Sequence, residues 1–229
     1  MKKEVEAFIL VAMVLVIPVL MLEPGNLAVV NGISAHWKKE KIYDNSNNYV
    51  ISGWILISLP LVPNDTDITK ILKPQLQSKV VTIVWGYVGT PRTWQFLKLG
   101  TGGTTSGTLK TMTDGNAYWV YLNGFPPNST IWVYGSVIAP AALPPSYSLL
   151  PGWNLVGYKP QPDENASKTV GSYLSSIDGK YDTNNVWIYN NLADTWIRAN
   201  VNPINGTVIH PADGMWILIT ATSAVTLRP

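Results

Sequence analysis

The chain contains no cysteine among its 229 residues, which excludes disulfide staples and thiolate metal sites. Histidine is nearly as scarce. His36 and His210 are the only two, and no Gly-x-Ser-x-Gly elbow accompanies His210 to suggest a hydrolase triad. Charge is thin as well: 13% of residues are Asp, Glu, Lys or Arg, about half the ~25% of an average soluble protein. With a net charge of +2 and one short basic cluster, Lys38-Lys39-Glu40-Lys41, there is no stripe for nucleic acid. Asn, Thr, Ser and Gly must therefore cover much of the surface. The loose oxygen-rich group Asp178, Asp182 and Asn184 lacks the glycine and final glutamate of an EF-hand and reads as a turn. The glycine-rich stretch from Gly100 to Thr108 lacks the Gly-Lys-Ser/Thr ending of a phosphate loop and reads as a flexible surface loop. No catalytic residue, cofactor site or metal ligand is assigned, and the expectation is a protein that is not an enzyme.

Tryptophan is abundant instead, and its placement organises the sequence. Eight of the ten tryptophans fall into two matched sets, Trp54, Trp85, Trp94 and Trp119 against Trp153, Trp187, Trp196 and Trp216. Ser52-Gly53-Trp54-Ile55-Leu56-Ile57 returns as Pro151-Gly152-Trp153-Asn154-Leu155-Val156. Trp85 and Trp94 are nine residues apart, as are Trp187 and Trp196, so a hairpin between them keeps its length. Spacing of this kind predicts an internal duplication. The expected fold is mainly β, with two tandem homologous β-sandwich or barrel-like modules, each carrying one short helix, preceded by an N-terminal hydrophobic helix.

The first half predicts a short helix over Asp67 to Leu72, stopping near Pro74, and a strand pair of Val80 to Val88 with Thr93 to Leu99. Its counterpart predicts a helix from a capping Ser167 to Leu174 and a strand pair of Asn185 to Tyr189 with Thr195 to Ala199. Each half ends in two further strands, around Trp119 and Trp132 or around Trp216 and Val225. The tryptophans of the matched sets are expected as core anchors. A buried Trp removes about 150–250 Å² from water, at roughly 25 cal/mol per Å², and a small module with three Phe in the whole chain needs such anchors.

Export is the expectation from the N-terminus. Met1-Lys2-Lys3 precedes an apolar run of sixteen residues, Ala7 to Leu22, ended by Glu23-Pro24-Gly25-Asn26. That length lies between a signal-peptide core and a spanning helix, and the lysines would stay inside. Residues 1–35 are therefore read as a signal peptide or membrane anchor, with Ile33-Ser34-Ala35 as a cleavage candidate. Residues 36–48 follow as a tether able to donate a strand through Lys41-Ile42-Tyr43, then a first module (49–138), a proline-rich linker (139–150) and a second module (151–229). Four Asn-X-Ser/Thr sequons, at Asn64, Asn128, Asn165 and Asn205, sit in or beside turn signals and are candidate glycosylation sites.

The set of Gly-Trp-Asn/Ile-Leu openings, central Val/Ile-Trp strands, second Trp nine residues on and closing Trp strand resembles the repeat modules of archaeal and some bacterial secreted cell-surface proteins. The resemblance spans residues 52–229, with Ile55 standing where the pattern prefers Asn. It implies an extracellular structural or adhesive role and no known chemistry. The expectation is thus a surface-layer, adhesin, filament or virion-surface subunit that associates with itself or with other surface proteins through β-surfaces. The alternative is a secreted carbohydrate-binding module that stacks glycans on exposed aromatics. Trp37, Trp132 and Tyr189, which fall outside the matched set or alternate with it, are the candidate ligand or partner contacts. The membrane is a further partner if the N-terminal helix is retained.

Overall fold

The computed structural model describes residues 29–34, 41–43, 49–59, 62–63, 65–125, 130–136, 146–159, 167–191 and 193–228. The apolar run Ala7 to Leu22, Trp37 and the sequon residues Asn64, Asn128 and Asn165 lie outside them. No helix among the described residues is long and apolar enough to cross a membrane.

The fold is mainly β, built from several antiparallel sheets. Strands β1 (Val29–Ser34), β2 (Lys41–Tyr43), β3 (Tyr49–Ser58) and β4 (Val62–Pro63) precede helices α1 (Ile68–Ile71) and α2 (Lys73–Gln77). Strands β5 (Val81–Val88), β6 (Thr93–Leu99), β7 (Thr105–Gly107), β8 (Ala117–Phe125) and β9 (Thr130–Ser136) complete the first half. The second half runs β10 (Tyr147–Leu149), β11 (Gly152–Gly157), β12 (Lys168–Thr169), α3 (Val170–Tyr173), β13 (Tyr181–Asn190), β14 (Thr195–Arg198), β15 (Val208–Ile209), β16 (Gly214–Ile219) and β17 (Val225–Leu227). The first large sheet has the order β2-β3-β8-β5-β6-β7 and the second β11-β16-β13-β14. Trp54, Trp119, Trp85 and Trp94 stand on four neighbouring strands of the first. Trp153, Trp216, Trp187 and Trp196 stand on the four strands of the second, in the same order.

Alternation along the strands decides which residues enter the core. On β8, Tyr118, Val120 and Leu122 are buried, whereas Trp119 and Tyr121 on the opposite face are only half-buried. The aliphatic face of the first sheet, including Ile55, Ile57, Val84 and Val120, packs on Ile68, Leu72 and Leu76 of the helical segment. In the second sheet Val186, Met215, Ile217 and Ile219 pack on Val170, Tyr173, Leu174 and Ile177. Each short helix is therefore held by tertiary burial, which helices of four or five residues require.

Local chemistry sets the helix ends. Asp67 caps α1 by accepting from the Thr69 amide at 2.8 Å. The helical segment does not end at Pro74: it breaks at Leu72 and restarts, so that proline falls in the first turn of α2, where a missing N–H costs nothing. In the second half Thr169, rather than Ser167, caps the helix, because Lys168 and Thr169 are occupied in pairing with β15. The glycine-rich stretch is also more ordered than its composition suggests. Its Thr105–Gly107 segment forms β7 on the edge of β6, and a Cβ on Gly107, at φ +123°, would stand 2.1 Å from the Phe96 carbonyl oxygen.

The terminal strands do not extend the large sheets. β9 pairs with β1 and β4, and β17 pairs with β10. Within the span read as a tether, β2 pairs with Tyr49–Ile51 of β3. β1 falls inside the span assigned to the leader.

Candidate functional site

Aromatic residues line the faces of the two sheets that point away from the helices, and these faces meet over part of their area. Leu56, Ala117, Leu155 and Tyr189 form a third buried cluster, flanked by Tyr87, Trp119, Trp196 and Trp216. The layers therefore follow the order helix, sheet, sheet, helix. Close approach of the sheets needs glycine. A Cβ on Gly214 would lie 2.5 Å from the Ala117 Cβ, and one on Gly157 would lie 2.5 Å from both the Ser58 Cβ and the Asn116 carbonyl oxygen.

Contacts across this junction are reciprocal. The Ser58 amide donates to the Ala212 carbonyl at 2.8 Å, and the Gly157 amide donates to the Gly115 carbonyl at 3.0 Å. Tyr87 of the first sheet packs on Trp216 of the second with centroids 5.3 Å apart, while Tyr189 packs on Trp119 at 4.6 Å. Trp94 meets Trp216 edge-on at 5.9 Å, and Trp196 meets Trp119 edge-on at the same distance.

Beyond the shared cluster the faces diverge and leave two open clefts. The first, of about 620 Å³, is lined by Trp54, Trp85, Trp94 and Trp119 together with Tyr189 and Trp196 of the other sheet. The second, of about 570 Å³, is lined by Trp153, Trp187, Trp196 and Trp216 together with Tyr87 and Trp94. Every one of the eight matched tryptophans thus lines a cleft, and Trp94 and Trp196 line both. This corrects the expectation that the set forms the core: none of the eight is buried, and Trp94 and Trp153 are 46% and 41% exposed. Aliphatic residues and tyrosines fill the core instead.

The clefts have a definite chemical character. No residue lining either one carries a charge, and Arg198, in register with Trp187, is the sole charged cross-strand partner of a matched tryptophan among the described residues. Indole offers a donor and no acceptor. Among the described residues none of the eight indole N–H groups donates a hydrogen bond and none is a buried orphan, so these donors open on solvent. The Tyr189 hydroxyl is engaged with the Asp194 carboxylate. The first lining therefore presents apolar ring faces and N–H donors, and the second adds Tyr87, whose hydroxyl can donate or accept.

Two polar locks hold the sheets in this relation. The Asn191 side chain, 4% exposed, accepts from the Leu56 amide and donates to the Leu56 carbonyl, both at 2.8 Å, as a neighbouring strand would. Lys159 reaches Asp114 at 3.1 Å, and the Tyr147 hydroxyl donates to the same carboxylate oxygen at 2.7 Å. Burial pushes the Lys159 ammonium below the usual lysine range, opposed by the Asp114 charge. Burial, followed by the Asp114 charge, pushes the Tyr147 phenol upward.

Of the sequence candidates, Tyr189 stands in the wall of the first cleft, buried between Trp119 and Trp196. Trp132 lies on β9 opposite Gly32, and its side chain is outside the described residues. Asn205 is exposed in a turn whose Ile204 and Asn205 amides donate to the Asn202 side-chain oxygen. Asp182 and Asn184 stand within β13, in the irregular stretch between Tyr181 and Val186, and not in the turn the sequence suggested; Asp182 accepts from the Asn184 amide and the Asn185 side chain, which hold its carboxyl below the usual range. No cluster of potential metal ligands occurs among the described residues. No known protein family, curated protein or solved structure matches the chain.

Proposed function

We propose that this chain is an exported protein of the cell exterior, a surface-layer, adhesin, filament or virion-surface subunit, that associates with its neighbours through the aromatic clefts. The observation that carries this reading is the placement of all eight matched tryptophans on open cleft walls. Large rings left half in water mark a contact surface, and Trp is the residue most enriched where binding energy concentrates. We read the two halves as tandem copies of one module related by an approximate two-fold axis. The common strand order and the reciprocal Ser58–Ala212 and Gly157–Gly115 bonds support that reading.

The apolar run Ala7 to Leu22 supports export, as a cleaved leader or a retained anchor, and exposed Asn205 is proposed as a glycan acceptor. Sedimentation and electron microscopy of the full chain test the assembly. Ordered or concentration-dependent oligomers are expected, and they should be lost in the Trp54→Ala/Trp153→Ala double variant. Both rings lie outside the third buried cluster, so the variant is expected to fold, which circular dichroism checks. A chain that stays monomeric at all concentrations refutes the proposal.

A second reading, glycan binding, is favoured by the exposure of Trp94 and Trp153. Binding of neutral oligosaccharides that disappears in the same double variant, without any self-association, would establish it in place of the first.

A further inference from the structure

We propose that Lys159 and Asp114 condense into an amide, an intramolecular cross-link between the two halves of this cysteine-free chain. Nζ stands 3.1 Å from Oδ2 across a sequence separation of 45 residues, and the carboxyl carbon lies one bond beyond that oxygen. Asp114 sits in the turn before β8 of the first sheet, and Lys159 follows β11 of the second. Backbone pairing fixes both residues from the side: the Gly157 amide donates to the Gly115 carbonyl at 3.0 Å, and Asn116 bridges Val156. Groups held in this way react as one molecule, with no encounter entropy left to lose.

Burial makes the ion pair a poor end state. The Lys159 and Asp114 side chains are 4% and 14% exposed, and an ammonium carries three N–H donors. Among the described residues Asp114 is the one hydrogen-bond partner of Nζ. A buried pair offsets its desolvation only when the remaining protons also find acceptors, whereas an amide keeps one N–H and no charge. Burial also pushes the Lys159 ammonium below the usual lysine range, against the pull of the Asp114 charge, and so favours the neutral amine that attacks. Tyr147 completes the site. A Cβ on Gly115, at φ +78°, would fall 2.1 Å from the Tyr147 ring, so glycine there lets the phenol close on the carboxylate. Its hydroxyl donates to Asp114 Oδ2 at 2.7 Å.

The atoms balance without a co-reactant. Lys159 passes one proton to Asp114 Oδ2, and the freed Nζ lone pair attacks the carboxyl carbon to form the C–N bond. A second proton moves from Nζ to Oδ2, the C–Oδ2 bond breaks, and Oδ2 departs as water while Oδ1 stays as the amide carbonyl. The Tyr147 hydroxyl, already aimed at the departing oxygen, stabilises the charge that shifts onto it. One link forms per chain. Counting from Gly53-Trp54 and Gly152-Trp153, Pro60 stands where Lys159 does, so the reciprocal junction at Ser58 and Ala212 has no amine to offer.

Mass spectrometry of the full chain tests this. Chymotrypsin cuts after the aromatic residues from Tyr118 to Tyr158, which separates Asp114 from Lys159. Digestion of the natural chain should release a branched peptide one water lighter than the sum of its two arms, with the fragment spectrum placing the bond on Lys159 Nζ. Lys159→Arg and Asp114→Ala should each abolish the branched peptide, and Tyr147→Phe should lower its yield. Two separate, unmodified arms from the natural chain would overturn the proposal, whether or not the variants fold. So would a water loss at Asp114-Gly115 that persists in Lys159→Arg, because cyclisation of the aspartyl-glycyl bond sheds the same water and joins nothing.

Discussion

Replacing Asn191 by alanine removes two hydrogen bonds at once and leaves both of their backbone partners in a dry place. The amide bonds the Leu56 N–H and C=O at 2.8 Å each, with Leu56 fully buried and Asn191 4% exposed. A hydrogen bond contributes about 0.5–1.5 kcal/mol net, but an abandoned buried donor or acceptor costs about 1–3 kcal/mol. Two abandoned groups therefore predict a loss of about 2–6 kcal/mol, a large fraction of the ~5–15 kcal/mol that stabilises a typical domain. Urea unfolding followed by tryptophan emission measures it as a lowered midpoint at unchanged slope. Asn191→Asp separates the two bonds. It keeps an acceptor for the Leu56 N–H but sets a carboxylate against the Leu56 carbonyl, so it should destabilise at least as much. A loss below about 0.5 kcal/mol for the alanine variant, in the range of ordinary surface substitutions, would refute the claim that this amide locks the sheets together.

Asp114→Ala should strand the buried Lys159 ammonium and cost about 3–5 kcal/mol at neutral pH. Lys159 binds its proton less tightly folded than unfolded, so the variant should regain stability as pH rises toward 10.5, measurable as a midpoint that climbs with pH. The Asp213 hydrogen bond raises the His210 pKa above its ordinary 6.5. Its stabilisation is therefore complete below the unfolded value and lost as pH rises through the folded one, and a proton NMR titration of His210 should fall back toward 6.5 in Asp213→Asn. Gly214→Ala places a methyl 2.5 Å from the Ala117 Cβ across the sheet junction. It should cost about 1–3 kcal/mol by overpacking, and a melting temperature equal to that of the natural chain would show that the sheets can slide apart.

The β class and the hairpins were legible because alternating β-branched and aromatic residues bounded by turn formers leave little freedom. The strands around Trp85, Trp94, Trp119 and Trp216 lie where the pattern places them. The fate of the tryptophans was not legible as core or surface, although half of the answer stands in the sequence. Val84-Trp85-Gly86-Tyr87 and Trp119-Val120-Tyr121-Leu122 put the aromatics on one face and the aliphatics on the other. Parity says only that the two sets part company. Which set meets the helices depends on Ile68, Leu72 and Leu76 packing on Ile55 and Val120, a contact between distant segments. The clefts needed one thing more, the crossing of two sheets at Gly157 and Gly214, where the information is the absence of a side chain. Tyr189 was singled out because it alternates with the matched set. It matters because that alternation carries it across the junction onto Trp119.

Trp94 and Trp196 each stand in both clefts, and that sharing restricts how the two halves can change over generations. Any replacement at position 94 or 196 alters both clefts in the same step, so neither can change alone. The freedom to specialise is left to the unshared walls. Beside those walls the two sheets already differ: Trp85 and Trp54 have Phe96 and Tyr121 as cross-strand partners, where Trp187 and Trp153 have Arg198 and Leu218.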